Sequence, residues 1–367
     1  MKIAFIGGRS IHKLGGIENY MFNLCSKLKQ LGQEPIVYCE SDRNYEEVVN
    51  GFKVIHWKSP KNVYLCKIYL GLKSTINALL KQGNVAVFHY NAWPPSLWCW
   101  LPRMFGRKAI LMGHGLGWKR TKYSSKQQFL MRFMERVTAK MNNHFVMVSE
   151  EQTEWFAKEY GIQCTTIPTA VNLPIEFEDT NILARLGLQG GDYYLYLGRL
   201  VQDKNPDYLI KAFLKADIKD SKLVIAGAND ADPKYVEYLH SLSNEDKRVI
   251  FTGAVYGLDK ETLLKNCKVF CIPSTIEGLS ITLLEAMSYA KPVIASDIEA
   301  NKEGLGNNGI WVKAEDEMDL CRAIGYCESN VDRLDSEAVK NRERVVNLFT
   351  WDRISQLYDN YINAICK

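Results

Sequence analysis

The sequence predicts an α/β protein made of two successive doubly wound, Rossmann-like domains, and three observations predict it. Short apolar runs alternate with stretches of helical period, the alternation is interrupted once, and it then restarts with the same signature. Strands that alternate with helices imply a parallel sheet covered on both faces. At 367 residues the chain is also too long for one ordinary domain and suits two.

The first domain is expected over 1–172. "KIAFIGG" is a buried strand ending in glycines, and Ile17, Tyr20, Met21, Leu24, Leu28 and Leu31 then recur at helical spacing. "PIVYCE", "FKVIHW", "NVAVFHY" and "KAILMGH" are further strands, and "HFVMVSE" and "CTTIPTAV" follow a basic helical stretch. Residues 173–191, with Pro174, an acidic run and Gly187, Gly190 and Gly191, are expected to be a linker. The second domain, 192–350, repeats the alternation through "YYLYLG", "KLVIAG", "RVIFTG", "KVFCIPS" and "PVIAS". Residues 351–367 are helical in period. The pattern does not say which domain they join; the expected one is the first.

The composition, 47% hydrophobic and 24% charged, is that of a soluble globular protein. No apolar run reaches the ~18 residues of a spanning helix, and the N-terminal strand and glycine turn are unlike a signal peptide. A cytoplasmic location follows as an expectation. Ten cysteines without a CxxC pair read as reduced thiols, with Cys267 and Cys271 in the core. Residues 1–170 hold 23 basic and 11 acidic side chains, against 23 and 31 in the remainder. Between Arg103 and Lys140, ten Lys/Arg face one acid, Glu135. Such a stretch suits an anionic partner, including the inner face of a plasma membrane, or else a solvated helix face. Trp93, Trp98 and Trp100 around Pro94–Pro95 fit a membrane interface, or a buried helix with fewer assumptions. Nucleic acid is disfavoured, because no recognised module accompanies the patch and the second half is acidic.

Three pieces suit a diphosphate. Gly15–Gly16 open a helix after a strand and loop, which allows close backbone approach. In "YLGRLVQDKNPDYLI", Arg199 and Lys204 leave a strand end ahead of a helix begun near Pro206. In "IPSTIEGLSITLLEAM", Gly278, Leu279 and Ser280 present backbone N–H groups at a helix start, flanked by Glu277 and Glu285.

"GGIENY", "GRLVQDKN", "EGLSITLLEAM" with its E-x7-E spacing, and "KPVIASD", in this order over nearly the full chain, resemble the family-4 retaining glycosyltransferases of the GT-B fold. "GHGLGWKRTKY" is also similar to a rhamnosyltransferase subgroup, which commonly has aspartate where His114 stands. The family's usual "KG" is here Lys204–Asn205, and its "G-x-P-V" is "AKPV". The resemblance implies that a nucleoside-diphosphate sugar, dTDP-rhamnose or a UDP-sugar, donates to a saccharide or lipid-linked saccharide. Arg199 and Lys204 would neutralise the diphosphate and the departing nucleotide, with Gly15–Gly16 approaching from the other domain across a cleft. Glu285 would accept from the ribose hydroxyls. Glu277 would bind the transferred sugar beside the 278–280 amides, and Val255, in the 253–256 loop, would face the base. His114 would contact the sugar or offer its backbone carbonyl there, Glu18 is a candidate acceptor contact or equally a first-turn helix carboxylate, and His89 is a weaker acceptor candidate. Retention would proceed by front-face attack, and no metal or other cofactor is expected. "DAD" at Asp230–Asp232 matches the metal-binding DxD only formally, within a turn composition. The alternatives are another GT-B reaction, such as nucleotide-sugar epimerisation, or an inactive glycan- or nucleotide-binding partner.

Overall fold

The computed structural model describes residues 1–12, 15–60, 63–115, 118, 124–178, 181–216, 218–228, 232–243 and 246–367, with backbone only at 63–65. It divides into two units, Met1–Ala170 with Trp351–Lys367, and Val171–Thr350.

The first unit is built on eight strands: β1 (Lys2–Ile6), β2 (Glu34–Ser41), β3 (Tyr45–Val49), β4 (Phe52–Lys58), β5 (Val85–Tyr90), β6 (Lys108–Gly113), β7 (His144–Met147) and β8 (Thr165–Thr166). They lie in the order β3-β4-β2-β1-β5-β6-β7-β8. All pairings are parallel except β3 with β4. The central strands are buried apolar runs because helices cover both faces. The short edge strand β3, "YEEVV", carries Glu46 and Glu47, charges that discourage pairing with another chain.

The second unit holds β9 (Tyr193–Leu197), β10 (Lys222–Ala226), β11 (Val249–Gly253), β12 (Val269–Ile272), β13 (Val293–Ser296) and β14 (Ile310–Val312). All are parallel, in the order β11-β10-β9-β12-β13-β14. In each sheet the chain steps outward from its first strand on one side and then returns to build on the other. The reversal falls between β1 and β5 in one unit and between β9 and β12 in the other. Loops at the carboxyl ends of those strands are where doubly wound sheets bind ligands.

The division differs from the expected boundaries. The chain passes from one unit to the other at Ala170–Val171, and residues 173–191 are not a bare linker. Asn181–Leu186 is helical, and Ile182, Leu183 and Leu188 are buried in the core of the second unit. Loop composition hid three apolar anchors. The helix Trp351–Cys366 belongs to the first unit, where Trp351, Ile354, Tyr358 and Ile362 pack with Tyr20, Leu24 and Leu28 of the helix Gly16–Gln30. Trp93 is also core: it stacks on Phe156 with ring centroids 5.6 Å apart, in a short helix with Pro94 and Pro95 in its first turn. The Trp98 indole donates to the Ile68 carbonyl at 2.9 Å. All ten cysteines are free thiols, and Cys267 and Cys271 are buried.

Candidate active site

At the reversal of the second sheet, two loops are bolted together. The loop after β9 turns through Arg199 into a 3-10 turn, Gln202–Lys204, and the loop after β12 runs from Pro273 to Ser280. The Thr275 amide donates to the Asp203 carbonyl at 3.0 Å, and the Asn205 side-chain amide donates to the Pro273 carbonyl at 3.0 Å. Asn205 has φ +50°, a left-handed conformation that glycine adopts freely and asparagine tolerates best among other residues. Asparagine thus keeps the backbone turn and adds a hydrogen bond that glycine lacks. Close packing reaches the floor of this site too. A Cβ on Gly227 would collide with the Gly198 carbonyl oxygen, so only glycine lets the end of β10 pass beneath.

This frame sets Lys204 against Glu277. Their ammonium and carboxylate form an ion pair with side chains 17% and 9% exposed, and the Ser274 hydroxyl donates to the same Glu277 oxygen at 2.8 Å. The Ser274 carbonyl is held from below by buried Ser296, to which Asn301 donates at 3.0 Å. Arg199 is exposed at the strand end, and its carbonyl accepts from Tyr196 at 2.8 Å. Ser280 caps the helix Ile281–Ser288 in extended conformation. The first amides of that helix have no intrahelical acceptor and carry the positive end of its dipole. Leu279 is buried in the core and anchors this turn.

Glu285 lies one turn into the same helix and has a partner that sequence reading missed. Lys260, on the helix Gly257–Asn266 after β11, donates to Glu285 Oε1 at 2.7 Å and pairs with Glu261 at 3.1 Å. Burial pushes the Glu285 carboxyl up and Lys260 opposes that push. Burial would lower Lys260, but the two carboxylates outweigh it and raise the ammonium. Spacing along the chain could not show this pair, because β11 and β12 are separated by two other strands. Val255, just beyond β11, is half-buried against the same core.

In the first unit, Gly15 caps the helix Gly16–Gln30 in extended conformation. The Glu18 carboxylate folds back over it so closely that a Cβ at Gly15 would strike Glu18 Oε2. Glu18 accepts from the Arg9 amide at 3.1 Å and its guanidinium at 3.3 Å, and is only 5% exposed. Its carboxylate closes the turn, and this geometry does not present it to an acceptor. His114, at the end of β6, meets Tyr20 edge to face at 5.0 Å and lies 3.5 Å from Asn91 Oδ1. Burial pushes its pKa down to about 4, only partly offset by Glu18, so the ring is neutral near pH 7. His89 is not an acceptor contact. It is 0% exposed, between Phe5 at 4.7 Å and Tyr358 at 5.5 Å, where the returning C-terminal helix covers it. Neither ring nitrogen has a partner among the described residues, and burial pushes its pKa down to about 3.

The basic stretch folds into the short helix Trp100–Met104, β6 and the helix Ser125–Met141; residues 116–117 and 119–123 lie outside the described residues. Glu135, its one acid, is buried and accepts from Trp118, Trp155 and Tyr160 at 3.1, 3.3 and 2.7 Å. Its carboxylate is thus committed to three donors inside the fold. Met104, Phe105, Phe129 and Phe133 are 72, 63, 72 and 54% exposed among Arg103, Lys126, Arg136 and Lys140. Of Asp230–Asp232, only Asp232 is described; it caps the helix Pro233–Leu242 by accepting from the Lys234 amide at 3.0 Å.

Two parallel Rossmann-like sheets in succession are the architecture of the GT-B fold. Residues 14–174 match the family model Glycosyltransferase Family 4, and residues 179–344 match Glycosyl transferases group 1. The chain belongs to the family-4 glycosyltransferases of the GT-B fold. An uncharacterized glycosyltransferase of Methanocaldococcus jannaschii is 30% identical over 190 residues, 51% of this chain and 48% of that protein. N,N'-diacetylbacillosaminyl-diphospho-undecaprenol alpha-1,3-N-acetylgalactosaminyltransferase of Campylobacter jejuni is 24% identical, over 93% of this chain and 88% of that one. The crystal structure of Anabaena HepE in complex with UDP-glucose is alike in fold, with TM-score 0.81 and 17% identity, over 99% of this chain and 100% of that one.

Proposed function

We propose that this glycosyltransferase moves a sugar from a UDP-sugar to a saccharide or lipid-linked saccharide, with retention at the anomeric carbon and without a metal. The observation that carries this reading is Lys204, held by Glu277 beside an open helix start at the reversal of the second sheet. A departing nucleoside diphosphate gains negative charge as its bond to the sugar breaks. Lys204, Arg199 and the helix amides meet that charge with preorganised dipoles and cations, the part a divalent ion plays elsewhere. Glu277 has a hydrogen-bonded carboxylate suited to sugar hydroxyls, and Glu285 one suited to a ribose. In front-face transfer, the acceptor oxygen bonds to the anomeric carbon. The phosphate oxygen leaves with its bonding electrons and takes the acceptor proton. His114, neutral near pH 7, serves as a hydrogen-bonding contact to a sugar rather than as an acid.

The UDP moiety is supported by the ligand of Anabaena HepE, and the lipid-linked acceptor by the Campylobacter relative's name. The exposed aromatic and basic face of the helix Ser125–Met141 supports docking to an anionic membrane. Thermal-shift titration with UDP, GDP and dTDP tests the base. UDP should give the largest shift; a larger one with dTDP would replace this reading with a dTDP-rhamnose donor. Release of nucleoside diphosphate from donor and acceptor should fall by on the order of a hundredfold or more in Lys204→Ala and in Arg199→Ala. Unchanged turnover in both would overturn the assignment.

A further inference from the structure

Away from these loops, one side-chain cluster points to a ligand. His12 lies on the loop that leaves β1, Glu47 on β3 and His56 on β4. Both histidine Nε2 atoms stand 2.6 Å from the same Glu47 oxygen, Oε1. One possible ligand atom from each residue lies within 4.8 Å of the other two. The imidazole planes are parallel within 5°, and the Tyr45 ring stacks on His56 at 4.0 Å, which fixes its orientation. His56 is 1% exposed while His12 is 55% and Glu47 29% exposed, so the cluster has a walled side and an open side.

Hydrogen bonding accounts for each contact singly. It does not account for two imidazoles and a carboxylate from three backbone segments meeting at one point, which is a donor set for zinc-class ions. Bonds of ~2.0–2.1 Å to a four-coordinate ion place its ligands about 3.3 Å apart. The nitrogens would therefore have to draw back from Glu47 by less than about 1 Å, and the exposed His12 has room to move.

We propose that His12, Glu47 and His56 bind one divalent first-row transition-metal ion of the zinc class, with a fourth position open to water. The ion ties the loop that runs on to Gly15–Gly16 to the β3–β4 hairpin, and so modulates that loop rather than the transfer chemistry. The site stands independently of the donor assigned above.

The test uses the untagged chain, stripped with a chelator and titrated with Zn²⁺ against a chromogenic competitor, with Co²⁺ as a spectroscopic substitute. One equivalent should bind, with a nitrogen–oxygen ligand field and no thiolate charge-transfer band. Affinity should fall on the order of tenfold or more in His12→Ala and in Glu47→Gln. No binding in competition, binding undiminished in His12→Ala, or a thiolate band pointing to the ten cysteines would each overturn the proposal. Because His12 is exposed, a melting curve matching wild type verifies that its variant folds. Nucleoside-diphosphate release in chelator separately tests the transfer reading.

Discussion

Glu277→Gln should tighten the binding of UDP while it slows transfer. In the free protein the Lys204 ammonium is committed to the Glu277 carboxylate, and both side chains are largely buried at 17% and 9% exposure. At an effective dielectric near 20, two charges ~4 Å apart attract by about 4 kcal/mol, and a charge-assisted hydrogen bond nets about 1.5–3 kcal/mol. A diphosphate that recruits Lys204 must overcome the latter. Glutamine removes the competitor yet keeps an oxygen for the Ser274 hydroxyl, which lies 2.8 Å away, so the loop is preserved. The dissociation constant for UDP should therefore fall roughly ten- to a hundredfold. The same change deprives the transferred sugar of a charged acceptor, and kcat should drop by about tenfold or more. Calorimetric titration with UDP and steady-state turnover read the two effects separately. An unchanged or weaker UDP affinity would refute competition between Glu277 and the diphosphate for Lys204.

Four further outcomes follow. Ala290 holds φ +53° just past the helix Ile281–Ser288, where left-handed backbone costs a non-glycine residue about 1–2 kcal/mol. Ala290→Gly recovers this less ~0.4–1 kcal/mol of unfolded-state entropy, so calorimetry should show Tm rising by about 1–3 °C. Lys260→Met removes the cation that opposes the upward push of burial on Glu285; UDP affinity should then weaken more at pH 6 than at pH 8, and a pH-independent loss would count against this. His89 and His114 are held near 3 and 4, below the ordinary value of ~6.5, so their contribution is present above that value and is lost as pH falls through the window to 3–4. For the fully buried His89 the slope approaches ~1.4 kcal/mol per pH unit, and His89→Phe should flatten the acid limb of a Tm–pH curve. Phe129→Ser combined with Phe133→Ser should abolish flotation with anionic vesicles at low salt without altering the melting curve, since both rings are exposed.

The parallel strands were legible because burial on both faces writes them as unbroken apolar runs, as in "KIAFI" and "YYLYL". Edge strand β3 was not, because its glutamates serve the edge and not a core. The candidate diphosphate pieces were readable as local motifs, since Arg199, Lys204 and Glu277 each sit at a strand end beside a turn. What escaped was tertiary. Lys260 reaches Glu285 from another strand–helix unit, and His89 looks like a strand-end histidine until the C-terminal helix covers it. The composition of 173–191 resembles a tether, and only the burial of Ile182, Leu183 and Leu188 shows otherwise.

The C-terminal helix makes the half of the protein that leaves the ribosome first the half that is finished last. Until Trp351–Cys366 is made, Tyr20, His89 and their neighbours lack their cover, so truncating this terminus should harm the opposite end of the chain. Joining it across an unfolded stretch as long as the second unit would cost on the order of 4–5 kcal/mol in loop closure. Once folded, the second unit brings its own ends side by side, Val171 bridged to Thr350. Folding of the inner half thereby lowers the cost of delivering the outer half its last piece.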